Sequence, residues 1–222
     1  SLQRAALRRL MFMERLVSAM AEMNDSFNEV TAEMLKVISD YDSVTGFRGA
    51  YNIRQDSMCA GRKNSENITI ESKTDKPGIN IRVKPGTKGE TVYIPACVTH
   101  SNVDDLVYND FFIGEGADVT IVAGCGVHSD GSETARHNGI HRFFLEKGAK
   151  VLYKEKHIGT GKGTGLRRID PVTDAYLKED SYLEMDTVQL RGVDRTTRST
   201  SAVLEKGAKI VVRERIMTDG DE

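Results

Sequence analysis

Four side chains able to ligate a soft or borderline metal lie close together in this sequence: Cys125, His128, His137 and His141, spaced Cys-x2-His-x8-His-x3-His. Turn-forming residues, Gly126 and the run Ser129-Asp130-Gly131-Ser132, are interleaved with them. Thiolate and imidazole suit zinc, iron or an iron–sulfur cluster, bound transiently, and a Gly/Ser loop would let the four converge. On an extended strand, residues three apart face opposite sides. Cys125 and His128 therefore share a metal only if Gly126 breaks the strand. A zinc finger would want a second cysteine pair and a helix for its histidines, and a cluster wants more thiolate than one cysteine, unless two chains contribute. The competing arrangement buries Cys125 as a small apolar residue and leaves the histidines hydrogen-bonded in a loop. Cys97 and His100 form a second, weaker metal-ligating pair. Cys59, beside Met58 and Ala60, is expected to be a structural or partly exposed thiol.

Other chemistries are poorly matched. Gly159-Thr160-Gly161-Lys162-Gly163-Thr164-Gly165 is glycine-rich enough to aim amides at a phosphate, but Gly163 follows Lys162 where a phosphate loop needs Ser or Thr, and no helix follows. A lysine-bearing surface loop is expected there. The basic stretch from Lys147 to Arg168 is offset by Glu146 and Glu155, and strand alternation sends its charges to one side, so nucleic acid is not an expected partner. There is no nucleophile elbow and no H-E-x-x-H helix, and the adjacent carboxylates Asp104 and Asp105 diverge on a strand. The sequence does not read as an enzyme.

The elements that would hold these residues fall into two parts: a helical segment over residues 1–45 and a β-helix core over 46–222. Leu2, Ala6, Leu10, Met13, Val17 and Met20 recur at helical spacing, predicting a helix to about Met23. Ser26-Phe27-Asn28-Glu29 fits a capping box, and Phe27, Val30, Met34, Ile38 and Tyr41 continue the period into a second helix. After Gly46, short β-branched runs alternate with Gly, Pro, Asn and Asp, and no amphipathic helix interrupts them, which excludes a βαβ fold. Gly116-Ala117-Asp118-Val119-Thr120-Ile121, Gly148-Ala149-Lys150-Val151-Leu152-Tyr153 and Gly207-Ala208-Lys209-Ile210-Val211-Val212 are copies of one turn-and-strand unit, and Asp180-Ser181-Tyr182-Leu183-Glu184-Met185 is a degenerate fourth. Their first residues stand 32, 32 and 27 apart, the spacing of stacked coils. The expected fold is thus mainly β, a parallel β-helix (β-solenoid) with an N-terminal α-helical segment. An antiparallel sandwich is the competing fold, but its strands seldom repeat one motif. The helices are expected to cover one open end of the stack.

Size and composition set wider bounds. A chain of 222 residues can bury about 70% of its unfolded surface, enough for one core without disulfides or structural metal. With 39% hydrophobic and 29% charged residues and a net charge of −2, it reads as a globular protein without a strong electrostatic partner. Charges break every apolar run, and the N-terminal stretch, carrying Arg4, Arg8, Arg9, Glu14 and Arg15, lacks a cleavage site, so neither a membrane span nor a signal peptide is expected. Three widely spaced cysteines argue against a disulfide framework and for the reducing cytoplasm.

Gly49-Ala50-Tyr51-Asn52-Ile53-Arg54, Ile94-Pro95, Leu106-Val107-Tyr108-Asn109-Asp110-Phe111, the run from Ala117 to His128, and Gly139-Ile140-His141 together resemble the short SufB/SufD-like proteins of the SUF iron–sulfur cluster assembly system. The resemblance implies a parallel β-helix, a SufB/SufD-type partner chain or a homodimer, and work with an ABC-type ATPase, SufC. It implies a non-catalytic scaffold in cluster assembly. In that family the ATPase contact and the best-supported cluster residues belong to the C-terminal region of the β-helix and a helical segment beyond. This chain is expected to lack that segment, so none of those residues is carried over. Two other functions compatible with a solenoid are a polysaccharide-active β-helix enzyme, disfavoured by the absence of tryptophan and 6% aromatic residues, and a structural solenoid that polymerises end to end.

Overall fold

The computed structural model describes residues 27–217, so the helix expected between Leu2 and Met23 lies outside the described residues. The chain enters through α1 (Glu29–Ile38), two residues later than the Ser26 capping box would start it. The observed cap is Asn28, whose Oδ1 accepts from the Thr31 amide at 2.9 Å while its Nδ2 donates to Thr99 Oγ1 at 2.9 Å. A cap that is also tied to the sheet sets the helix start from tertiary structure rather than from local pattern. Met34, Leu35 and Ile38 form the buried stripe.

Fourteen strands follow among the described residues, shared between two sheets. The first holds β1 (Ala50–Gln55), β2 (Met58–Lys63), β5 (Lys88–Val98), β7 (Asp118–His128), β9 (Lys150–Thr160), β12 (Tyr182–Arg191) and β14 (Lys209–Ile216), in the spatial order β14-β12-β9-β7-β5-β1-β2. The second holds β3 (Ile68–Ser72), β4 (Gly78–Val83), β6 (Asp104–Ile113), β8 (Ala135–Leu145), β11 (Val172–Leu177) and β13 (Ser199–Leu204), in the order β13-β11-β8-β6-β4-β3, with β10 (Arg167–Ile169) beside β8. From β4 onward the chain alternates between the sheets, with β10 and β11 both on one pass through the second, and apart from β10 each strand pairs parallel with the next strand of its own sheet. That is a parallel β-helix, as the repeats require.

The repeated corners align. Gly116, Gly148 and Gly207 take φ of 64°, 64° and 72°, Asp180 stands in at 58°, and Gly86, at 72°, adds a fifth corner that the repeats had not disclosed. Each corner amide donates to the carbonyl just before the next corner: Gly86 to Glu115, Gly116 to Lys147, Gly148 to Glu179 and Asp180 to Lys206, at 2.9–3.0 Å. Left-handed backbone is nearly free for glycine and mild for aspartate, which explains the composition of this ladder. Beyond the corners, alternate residues point inward and stack: Val119 on Val151 and Leu183, then Ile121 on Tyr153 and Met185. Opposite them, Phe111 and Phe143 stack at 4.5 Å and meet Tyr153 edge-on.

The helix does not cover an end of the stack. One end is closed by the antiparallel hairpins β1–β2 and β3–β4. Instead, α1 lies on the outer face of the first sheet, over β5, β7 and β9. Gly124 and Gly126 make this possible, because a Cβ at Gly124 would stand 2.4 Å from the Ile38 carbonyl oxygen and one at Gly126 2.1 Å from Met34 Sδ. Those two glycines strip the outer face of β7 to backbone, and the helix fills the space.

A Cβ at Gly148 would meet no atom within 4 Å, so substitution there tests the corner conformation alone. Gly148→Val is expected to destabilise the fold by about 1–2 kcal/mol, read as a lowered midpoint of urea unfolding. An unchanged midpoint would contradict the role given to left-handed corners.

Candidate functional site

Towards the C-terminal ends of the strands of the first sheet the inward row changes character, from Val, Ile and Leu to polar groups. On β9 the inward residues run Val151, Tyr153, Glu155, His157, and all are essentially inaccessible. Register carries the polarity across strands: Cys125 on β7 pairs with His157, which pairs with Gln189 on β12. From the second sheet, β8 contributes His137, Gly139 and His141, and β6 contributes Asp105 and Asn109. All of these side chains are buried, and together they form one polar compartment of the interior, the chamber.

Two groups organise it. At one side Asp105 accepts from Arg54 Nη2 at 2.7 Å and lies 3.0 Å from His137 Nδ1. Burial by itself would push the Asp105 carboxyl up; hydrogen bonds from His137 and Arg54 and their charges outweigh it and hold the group well below the usual carboxylate range. Asp104, its neighbour, is exposed, so the adjacent pair diverges as strand geometry demands. At the other side the Tyr153 hydroxyl lies 2.7 Å from His141 Nδ1 and 2.9 Å from Glu155 Oε1. Burial is again opposed at Glu155, where the neighbouring His157 ring, His141 and the Arg198 guanidinium keep the carboxylate ionised. Burial drives the His141 imidazole down to about 4, so this ring is neutral. His137 and His141 flank Gly139, where an added Cβ would stand 3.3 Å and 2.9 Å from their Nε2 atoms.

Within this chamber Cys125 Sγ, a carboxylate oxygen of Glu155 and a ring nitrogen of His157 lie within 4.8 Å of one another, the one group of three or more metal-ligating side chains found among the described residues. Burial, followed by the Glu155 charge, raises the Cys125 thiol well above its ordinary value.

The four residues singled out by spacing are divided by this arrangement. Cys125, His137 and His141 all face the chamber, but β7 runs unbroken through Gly126, so His128 faces outward, with Nδ1 2.9 Å from Thr160 Oγ1 and α1 alongside. Cys97 is buried on the opposite face from Cys125, beneath α1 among Met34, Leu35 and Ile38, and burial pushes its thiol up to about 12. His100 is exposed and 3.8 Å from Asp56, apart from Cys97's packing. Cys59 is exposed. Glu155 and His157, which complete the triad with Cys125, carry no local motif. The signal for His157 is the period, since Cys125 plus 32 is His157. The glycines from Gly159 to Gly165 hold no phosphate cradle: Gly163 and Gly165 donate to the carbonyls of Ser129 and Gly131, extending the stack.

No family model matches this sequence, and no solved structure matches it. Over 89 residues, 39% of the chain, it is 32% identical to an iron–sulfur cluster assembly SufBD family protein of Methanothermobacter thermautotrophicus (strain Winter). The SufBD family protein of strain Delta H is 30% identical over a stretch of the same length. The chain is SufB/SufD-like. The matched stretch spans 21% of the length of each relative. No helix among the described residues is long and apolar enough to cross a membrane.

Two predictions follow from the burial of the chamber. At pH 8 a disulfide reagent such as DTNB should titrate Cys59 alone in the folded protein and all three cysteines after denaturation; fast labelling of Cys125 in the native state would contradict the enclosed thiol. Stability should also fall in acid. His141 binds its proton at about 4 folded and near 6.5 unfolded, so stability present above pH 6.5 is lost as the pH drops through that window, by about 3 kcal/mol in all. Asp105 and Glu155, both depressed, extend the loss below about pH 4. Urea midpoints that stay flat between pH 7 and 4 would refute this.

Proposed function

We propose that this chain is a scaffold and interaction component of iron–sulfur cluster assembly, non-catalytic by itself. The observation that carries the proposal is the coincidence of SufBD-like sequence with a parallel β-helix that encloses a thiol among ionised and neutral ligating groups. Sulfur or cluster in transit must be shielded from water and oxygen, and an internal chamber does that where a surface site would not. The cargo, iron and sulfide, is substrate to this protein rather than a resident group. A SufB/SufD-type chain or a second copy is the expected partner along the stack, and a SufC-type ABC ATPase, working in the cytoplasm, is the expected source of nucleotide hydrolysis, since the glycine-rich segment of this chain is used as structure.

Affinity capture of the full-length gene product from its native lysate under anaerobic conditions should recover an ABC-type ATPase together with a SufB/SufD-type chain. Recovery of neither, with the bait folded by circular dichroism, would overturn the proposal.

A further inference from the structure

The internal triad is a better fit to a single metal ion than to a cluster. A cluster takes two or more thiolates, and the chamber has one thiol; Cys97 is on the other face of its sheet and Cys59 is outside. What the chamber offers is one sulfur, one nitrogen and one oxygen within 4.8 Å of each other, the mixed donor set of zinc and ferrous sites. A tetrahedral ion with ordinary bond lengths separates such donors by roughly 3.3–3.7 Å, so closure by about an ångström completes the geometry.

A second observation points the same way. His157 is fully buried, yet its Nε2 has no hydrogen-bond partner; it lies 3.3 Å from Glu155 Oε1 but out of alignment. Gln189, the register partner of His157 on the next strand and equally buried, leaves its Oε1 unpartnered too. An unsatisfied buried polar atom costs on the order of 1–3 kcal/mol, and the pair of His157 Nε2 and Gln189 Oε1, side by side at a Cys/Glu pair, suits a bound cation. Charge closes the case. Once the Cys125 thiol gives up its proton on binding, thiolate, carboxylate and neutral imidazole sum to −2, which a divalent ion neutralises in full.

We propose that Cys125, Glu155 and His157 bind one divalent transition-metal ion, zinc or ferrous in class, inside the solenoid, with Gln189 Oε1 as the fourth donor. On binding, the sulfur–metal bond forms as the Cys125 thiol loses its proton to solvent, with no change of oxidation state. Arg198 is the counterpart of the ion in its absence. Its Nη1 stands 3.4 Å from His157 Nδ1 while its Nε donates to Glu214, so it remains on Glu214 when the ion arrives. The same arginine lines an open groove of about 400 Å³ with Thr200, Ile210, Val212 and Glu214, so groove and site share a wall. The proposal stands whether or not the chain takes part in cluster assembly.

The test is anaerobic titration of the chelator-treated, full-length protein with Co2+, followed by displacement with Zn2+. One equivalent of Co2+ should produce thiolate-to-cobalt charge transfer with the visible bands of a tetrahedral site, and Zn2+ should bleach them. Cys125→Ser, nearly isosteric, should abolish the charge transfer, and Glu155→Gln should lose one-to-one uptake while keeping the native circular dichroism. His128→Ala, on the outer face, should titrate like the parent. Zinc should also raise the melting temperature of the parent and not of Glu155→Gln, which separates a lost ligand from a lost fold. Absence of cobalt uptake by the parent, charge transfer that survives Cys125→Ser, or full uptake by a folded Glu155→Gln protein would each overturn the assignment, and uptake lost in His128→Ala would move the site to the outer face.

Discussion

In a stacked coil every inward side chain has the same two neighbours, the residue one period before it and the residue one period after. That constraint governs everything else in this molecule. Apolar residues tend to follow one another, as Val119, Val151 and Leu183 do, and polar ones gather likewise, as Cys125, His157 and Gln189 do, because an isolated buried polar group is costly. The interior is accordingly sorted along the strands rather than mixed. Near the corners it is aliphatic, Phe111, Phe143 and Tyr153 form an aromatic band, and the polar chamber lies beyond. Tyr153 belongs to both regions, with its ring in the aromatic packing and its hydroxyl between His141 and Glu155.

The outer surface obeys the same rule with other means. Phe112, Phe144 and Tyr176 stack face to face at 5.1 and 5.2 Å, capped by the Arg82 guanidinium over Phe112. Glu146 pairs with Lys178 and Lys147 with Glu179, each 32 residues on. Such exposed pairs contribute little stability, but opposite charges in register disfavour a slip by one residue or one coil.

The architecture was legible because its most demanding positions admit few residues. A left-handed corner selects glycine, so Gly116, Gly148 and Gly207 announce the coil, and even Asp180 is the kind of residue that tolerates the conformation. The chamber was half legible. Cys125, His137 and His141 stand out by type, whereas Glu155 and His157 look like members of an ordinary charged strand. Their role is set by register: 32 residues carry Cys125 to His157, Asp105 to His137 and Asn109 to His141, but residue types in these rows differ from coil to coil, so similarity search along the chain does not see them. His128 misled for the opposite reason, being near in sequence and on the wrong face. The seat of α1 was hidden as well, since Gly124 and Gly126 within a strand suggest a break rather than a surface kept bare for a helix.

That bare surface ties the helix to the thiol. On either side of Cys125 the strand is held from outside, at Gly124 by the Ile38 backbone and at Gly126 by the Met34 side chain, so the helix touches the two residues that bracket the inward sulfur. A displacement of α1 is therefore passed to the strand through Gly124, where helix backbone meets strand backbone next to Cys125, and the element lying outside the solenoid acts as a mechanical handle on the group sealed within it.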